Sequence, residues 1–201
     1  GHEVYYVDYW PKYHRQAYKA FSFGRFISLG VRSRLYYLLE SIKWYKFRKQ
    51  RIANFEYFLG IYIYPYCRPT TDEFDAIVYG SDQIWRKQEA IKSYNPVYFA
   101  QNRFQAHKHI AYSASMGILP SNYRDLNYLK ELLSHFNAIG VREKNLKELL
   151  VKIGYTNTKL TIDPTLLLSS KDWNTIIPTT SSSTNKYVLV YGINNVAFKW
   201  R

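Results

Sequence analysis

The chain is poor in cysteine, and this scarcity excludes several kinds of chemistry. A single cysteine, Cys67, stands among 201 residues, which excludes an intramolecular disulfide framework and any metal cluster held by several thiolates. We interpret Cys67 as a small packed side chain rather than a nucleophile. The five histidines lack the spacing to a cysteine or a carboxylate pair that a metal site requires, so the sequence predicts no metal.

Long apolar runs and a leader pattern are also missing. No stretch approaches the ~18 apolar residues that cross a bilayer, and the first eight residues lack a basic region followed by an apolar one. We therefore expect a cytoplasmic protein. The composition, 47% hydrophobic and 21% charged, is typical of a globular chain. The length suits one well-buried domain, or one domain and part of another.

Acidic side chains are scarce, and most of the resulting positive charge lies in the first third of the chain. The formal net charge is +13, and residues 1–68 hold twelve Lys or Arg against four Asp or Glu. Aromatic side chains alternate with these bases across residues 12–68. We favour a helical insertion whose aromatics pack on the sheet. Peripheral contact with anionic lipid at the inner face of the membrane stays open, whereas no nucleic-acid module accompanies the charge, so we expect no nucleic-acid partner.

Short apolar runs alternate with helical patterns along most of the chain. The runs predicted to be strands are 4–9, 76–79, 109–113, 138–141 and 160–162. Residues 18–59 are predicted to hold one or two helices, and helical stripes follow near 126–136 and 143–153. Strands that alternate with helices of this length indicate an α/β fold, a doubly wound parallel sheet with helices on both faces. The Ser- and Thr-rich stretch 179–186 predicts a linker, and 187–201 predicts the first strand of a second domain.

Small and polar residues follow several of the predicted strands. Because the carboxyl ends of parallel strands meet at one edge of a sheet, where ligands bind, we expect Ser81, Asp82, Ser115 and Arg142 to gather there. Glycine allows close backbone approach, a tryptophan face can stack, and arginine beside a helix start can hold an anion. The candidate substrate-binding residues are Gly80, Ser81, Asp82, Trp85, Ser113, Ser115, Gly117 and Arg142.

The same residues also have purely structural interpretations, which the spacing leaves open. A Gly-Ser-Asp turn after a strand is a weak signal, and an ordinary turn with Trp85 in the core also fits it. Arg142 beside Glu143 is typical of a salt bridge at a strand end. Asp163 before Pro164 either caps a local turn or faces the ligand-binding edge.

Six motifs, in order along the chain, resemble those of a known family. They are GHEVYYVDYWPKY at 1–13, YGSDQIW at 79–85, HIAYSASMG at 109–117, AIGVREK at 138–144, LTIDPTLLLSSKDW at 160–173 and KYVLVYGIN at 186–194. The second of them resembles the GSDQ-x-W signature of the polysaccharide pyruvyl transferases. The order and spread of the six motifs make the resemblance specific.

The resemblance implies an activity and its partners. Members of that family transfer a pyruvyl group from phosphoenolpyruvate to sugar hydroxyls of cell-surface polysaccharides, and are similar to two-domain glycosyltransferases of the GT-B type. We therefore expect phosphoenolpyruvate as the donor substrate, no further cofactor, and a saccharide or lipid-linked saccharide as the acceptor. The match to the family's strand-end VRE favours a site role for Arg142.

The resemblance also implies a division into domains. Residues 1–178 are expected to form the N-terminal Rossmann-like domain without its opening strand-helix unit, followed by the linker 179–186 and the start of a truncated second domain at 187–201. The general acid and base, and a donor-binding histidine, are expected in the second domain, so this fragment is expected to be inactive alone. Two alternatives remain: a GT-B glycosyltransferase that uses a nucleotide sugar, and an inactive fragment that binds a membrane or a partner.

Overall fold

The computed structural model describes residues 1–11, 13, 21–89, 91–101 and 104–176. It divides the chain into two compact units, residues 1–163 and residues 164–201. The predicted domain boundary at 178, the linker 179–186 and the strand predicted within 187–201 lie outside the described residues.

The described helices and strands alternate over the second half of the first unit. In chain order they are β1 (Tyr6–Val7), α1 (Phe23–Ser28), α2 (Val31–Lys43), α3 (Tyr45–Tyr62), β2 (Cys67–Arg68), β3 (Glu73–Tyr79), β4 (Gln105–Ala114), α4 (Tyr123–Leu133), β5 (Ala138–Val141), α5 (Lys144–Lys152), β6 (Lys159–Leu160) and α6 (Ser170–Ile176). Short 3-10 helices lie at Tyr64–Tyr66, Pro96–Phe99 and Pro164–Leu167. The last of these and α6 belong to the second unit.

Four of the strands form one parallel sheet in the order β3-β4-β5-β6. The predicted α/β class with a parallel sheet is therefore confirmed. Strands β3 and β4 begin earlier than the apolar runs predicted, because charged residues such as Glu73 and Lys108 sit on paired but exposed parts of these strands. The strand order does not reverse within the described residues, so the doubly wound form stays a prediction.

The predicted strand 4–9 is not part of this sheet. Instead, β1 pairs in parallel with β2 in a separate two-stranded sheet, where Tyr6 lies opposite Cys67. This small sheet lies at the surface, where Tyr6 is exposed. There the Arg68 guanidinium lies 4.3 Å from the centre of the Tyr5 ring. An apolar run of this kind can be stabilised by local aromatic contacts without entering the central sheet.

The core lies between one face of the sheet and helices α4 and α5. It contains Leu129, Leu132 and Leu133 of α4, Leu146 and Leu150 of α5, and Ile139 and Val141 of β5. On the other face of β3, Val78 is 63% exposed. Among the described residues the helices around this sheet thus cover one face, whereas the sequence predicted helices on both.

The ends of these helices follow their sequence signals. The Asn122 side chain accepts a hydrogen bond from the Asp125 amide at 2.8 Å, which satisfies a free donor at the start of α4. Gly154 follows α5 with φ +109, and the next amide, that of Tyr155, donates to the Leu150 carbonyl at 2.8 Å. Gly154 therefore ends α5 in the position after a helix where glycine is favoured.

Residues 21–66, which we call the helical arm, contrast with this core. Ser41 is the buried residue of α2 and Leu59 that of α3, while most of the arm's aromatic and aliphatic side chains are exposed. The favoured interpretation, in which these aromatics pack on the sheet, is therefore wrong for the described part of the segment. No helix among the described residues is long and apolar enough to span a bilayer.

Candidate functional site

Three loops that leave the carboxyl ends of β3, β4 and β5 are joined by backbone hydrogen bonds. The Ser115 amide donates to the Asp82 carbonyl at 3.0 Å, and the Trp85 amide donates back to the Ser115 carbonyl at 3.1 Å. The Arg142 amide donates to the Ala114 carbonyl at 3.1 Å. The predicted gathering of these residues at one edge of the sheet is confirmed.

Glycine is required at two positions of these loops. A Cβ atom on Gly80 would lie 1.8 Å from the carbonyl oxygen of Tyr112, so the backbone of β4 passes where any side chain would stand. Gly117 has φ +73, and a Cβ atom there would lie 3.0 Å from the side chain of Gln83. Both residues bring neighbouring loops closer than another residue type allows.

Arg142 is surrounded by three carboxylates. Its guanidinium donates to Asp163 Oδ2 at 2.8 Å from Nη1 and to Asp82 Oδ1 at 3.5 Å from Nη2, and Nε lies 4.0 Å from Glu143 Oε1. Burial lowers the pKa of the Arg142 guanidinium, but the Asp163 hydrogen bond and the charges of Glu143 and Asp82 outweigh it, so the pKa is raised. Arg142 therefore stays charged and fixed in place.

The Asp163 carboxylate reaches this edge of the sheet. Of the two interpretations that the sequence offered, the 2.8 Å contact to Arg142 supports the one at the edge, and capping of the local turn stays a prediction. The Asp82 side chain, by contrast, is 84% exposed. Of the three carboxylates it is the one most open to a ligand.

The two serines of the second loop are directed into the protein. Ser115 is fully buried and its hydroxyl donates to Glu143 Oε1. Ser113 is also fully buried, and its amide donates to Thr161 Oγ1 at 3.1 Å. Within the described part of the chain, Ser113 Oγ and Glu143 Oε2 are buried and have no hydrogen-bond partner in the protein.

Trp85 belongs to the core rather than to the surface of the site. It is fully buried, its ring stacks on Phe99 with centroids 5.2 Å apart, and its indole N–H donates to the Tyr98 carbonyl at 3.0 Å. The predicted stacking face for a ligand is thus turned inward. Its function in this structure is to anchor the loop that carries Ser81 and Asp82.

Histidines do not reach this edge in the described residues. His109 lies within β4, where its Nδ1 atom is 2.9 Å from the Tyr79 hydroxyl. Burial and the neighbouring charge of His135 lower the pKa of His109. The described residues hold no group of three His, Cys, Asp or Glu that could bind a metal ion.

Sequence reasoning missed Thr161 and the contact between Ser115 and Glu143. Thr161 Oγ1 accepts a hydrogen bond from the Ser113 amide. Thr161 also lies against Gly140, where an added Cβ atom would be 2.9 Å from Thr161 Cγ2. The only available signal was its place just after a short strand, a position shared with many ordinary turn residues.

The edge combines several hydrogen-bond acceptors with the Arg142 guanidinium. Three carboxylates and the hydroxyl of Ser81 suit the hydroxyl groups of a saccharide, and one guanidinium offers a planar fork to an anionic group. Since three carboxylates surround the Arg142 guanidinium, this group of described residues fits a neutral polyhydroxyl ligand better than a phosphate alone.

Comparison with known proteins gives one match. A family model described as "Polysaccharide pyruvyl transferase" matches residues 1–195. No curated protein and no solved structure matches the chain. The matched range contains every residue of the sheet edge described above.

Proposed function

Since the chain belongs to the polysaccharide pyruvyl transferase family, we propose that it takes part in moving a pyruvyl group from phosphoenolpyruvate to hydroxyls of a cell-surface saccharide. The observation that supports this most directly is the meeting of Ser81, Asp82 and Arg142 at one edge of the sheet. These are residue types that hold hydroxyl and carboxylate groups.

The chemistry sets out what such a site must supply. A proton added to the methylene carbon of phosphoenolpyruvate makes its central carbon electrophilic. Two sugar hydroxyls then add to that carbon, and inorganic phosphate leaves. The two hydroxyls release two protons, which balance the one that the methylene carbon took up and the one that leaves with phosphate. The site needs a general acid, a general base and a cation for the donor's carboxylate or phosphate.

We assign the exposed side chains at the edge to substrate contact. Asp82 and Ser81 would accept and donate hydrogen bonds to the acceptor sugar, close to Gly80, and Arg142 would hold the carboxylate of the donor through its planar guanidinium. Buried Ser113 and Ser115, with Gly117, would position the loops. The general acid and base are expected on the second domain that the family resemblance implies.

We also propose that the acceptor is lipid-linked and that the reaction takes place at the cytoplasmic face of a membrane. A lipid-linked precursor keeps the sugar close to the bilayer surface, and the basic aromatic residues of the helical arm suit such a location. Any GT-B-like arrangement would put the sheet edge described above opposite the second domain.

The test is a transfer assay with matched variants. Arg142→Lys keeps the positive charge beside three carboxylates but loses the bidentate fork, so kcat/KM should fall by about 10- to 100-fold while Tm stays nearly unchanged. Lys144→Ala is the control, because Lys144 is also basic and adjacent but lies 3.9 Å from Glu148 on the exposed side of α5. Its kinetics should match those of the wild type.

The outcomes separate the alternatives. Unchanged kinetics with a lowered Tm for Arg142→Lys would make Arg142 a structural salt bridge only. Transfer from a nucleotide sugar, without phosphate release from phosphoenolpyruvate, would show a glycosyltransferase, and no turnover with either donor would show a binding module. The 201-residue chain is assayed beside a form that carries the second domain, and we expect transfer only from the latter.

A further inference from the structure

Helix α2 turns its apolar side away from the protein. Val31, Leu35, Leu39 and Ile42 follow one another at spacings of three or four residues and form a stripe along the helix. The two ends of this stripe, Val31 and Ile42, are 82% and 70% exposed. We call these four residues the α2 stripe.

A different side of α2 makes the contacts within the arm. Arg34 Nε donates to the Phe26 carbonyl at 3.1 Å, the Tyr37 hydroxyl accepts from the Ser22 amide at 3.0 Å, and Ser41 is buried. A helix of a globular domain normally buries its apolar side and exposes its polar side. In α2 the apolar stripe is exposed instead, which marks it as a contact surface.

Basic and aromatic side chains border the stripe. Residues 21–66 contain eight Lys or Arg and two Glu. Of the two acids, Glu40 accepts a hydrogen bond from the Trp44 indole N–H at 2.9 Å. The exposed aromatic residues include Tyr36 of α2, Trp44 between α2 and α3, and Phe47 of α3.

We propose that the helical arm binds the surface of an anionic lipid bilayer, with the α2 stripe inserted at the boundary between headgroups and acyl chains. Aliphatic side chains enter that boundary, Trp and Tyr settle at the headgroup level, and Lys and Arg attract anionic headgroups. This inference specifies the membrane contact of the proposed function, but its argument does not depend on the reaction catalysed.

Charge argues against other occupants of the same surface. A second copy placed face to face would bring two strongly basic arms together without acidic partners. A nucleic acid would satisfy the bases and stack on the aromatics, but it offers nothing apolar to the aliphatic stripe. An anionic bilayer is complementary to both parts of the surface.

Vesicle sedimentation tests the proposal with a matched pair of variants. The wild type should bind vesicles that contain phosphatidylglycerol and not vesicles of phosphatidylcholine alone, and added salt should weaken binding. Leu35→Asp with Leu39→Asp should reduce binding at least tenfold. Ile118→Asp with Leu166→Asp adds the same charge at exposed aliphatic positions outside the arm, and should bind almost as well as the wild type, apart from the small effect of net charge.

A second variant set keeps the test valid if the aspartates disturb the helix. Arg32→Gln with Lys43→Gln and Lys46→Gln leaves the stripe intact and should also lose binding to the anionic vesicles. Circular dichroism confirms the fold of each variant. Equal binding to both kinds of vesicle, or equal losses in the stripe and control variants, would overturn the proposal.

Two further measurements separate a bilayer from a second copy of the chain, and membrane binding from activity. A concentration-dependent dimer in sedimentation velocity that disappears in the stripe variant, without vesicle binding, would show that a second copy covers the stripe and would overturn the bilayer proposal. When transfer is assayed with a water-soluble saccharide in place of the lipid-linked acceptor and without vesicles, loss of membrane binding and loss of activity are measured separately.

Discussion

Trp85, which lies beside the four-stranded sheet, and Trp44, which lies in the helical arm, have opposite environments. Trp85 is fully buried against Phe99, whereas Trp44 is 43% exposed, with Lys43 5.3 Å from its ring centre. Both regions are rich in aromatic and aliphatic residues. The comparison shows that hydrophobicity alone does not bury a side chain. The topology must also place another part of the chain against it.

Replacing each tryptophan by alanine should separate the two regions most strongly. Trp85→Ala removes a fully buried ring and should cost about 3–5 kcal/mol of unfolding free energy. Trp44→Ala removes a partly exposed ring with one hydrogen bond and one cation-π contact, and should cost less than about 1 kcal/mol. Urea denaturation of both variants measures the difference, and equal costs would mean that the arm is part of the core.

Glycine substitutions should change stability in opposite directions in the two regions. Gly80→Ala places a Cβ atom 1.8 Å from the Tyr112 carbonyl oxygen and should destabilise by about 2–3 kcal/mol, because backbone must move. Gly60→Ala in α3 meets nothing within 4 Å and should stabilise by about 0.5–1 kcal/mol through the better helix propensity of alanine. Thermal unfolding of the pair measures both effects, and loss of stability in Gly60→Ala would show that the arm is packed more tightly at this point.

The smallest expected effect is a pH dependence of stability that is confined to the four-stranded sheet and the helices packed on it. The pKa of His109 is lowered in the fold, mainly by burial and also by the charge of His135, so the unfolded chain takes up this proton first as pH falls. The resulting stability is complete above the unfolded value of about 6.5 and is lost as pH falls from there through the folded pKa. The helical arm, residues 21–66, contains no histidine, so we expect no such pH dependence there.

Amide hydrogen exchange measures this difference region by region. Between neutral and mildly acidic pH, and after correction for the intrinsic rate, protection in β4 should decrease, whereas that in α2 and α3 should stay constant. His109→Gln should remove most of the change in β4. An equal loss of protection in the arm would contradict the assignment to His109.

The residues at the sheet edge were predictable because they directly follow strands that short segments of the sequence define. The strand ends at Tyr79 and Val141 can be read from apolar runs, and that of β4 is predicted at Ser113, one residue before it ends at Ala114. Parallel pairing then brings the following residues together. The same logic does not give the direction of each side chain. Whether Trp85 points to the core or to a ligand depends on the shape of the space beside Phe99, which no spacing in the sequence encodes.

The contacts that were missed join residues far apart in the chain. Ser113 binds Thr161, and Ser115 binds Glu143, through register and loop geometry that arise only when the sheet is assembled. The exposed stripe of α2 was hidden for a related reason. Its period predicts an amphipathic helix, but the sequence does not state which element, if any, the apolar side meets.

The strand order β3-β4-β5-β6 leaves one side of β3 as the outer margin of the sheet in the described residues. Its backbone amides and carbonyls on that side form a template to which another extended segment can be added without rearranging the sheet. Glu73 and Asp75 stand on this strand, and like charges on two such margins repel each other. Carboxylates at this margin therefore disfavour pairing between two copies of the strand.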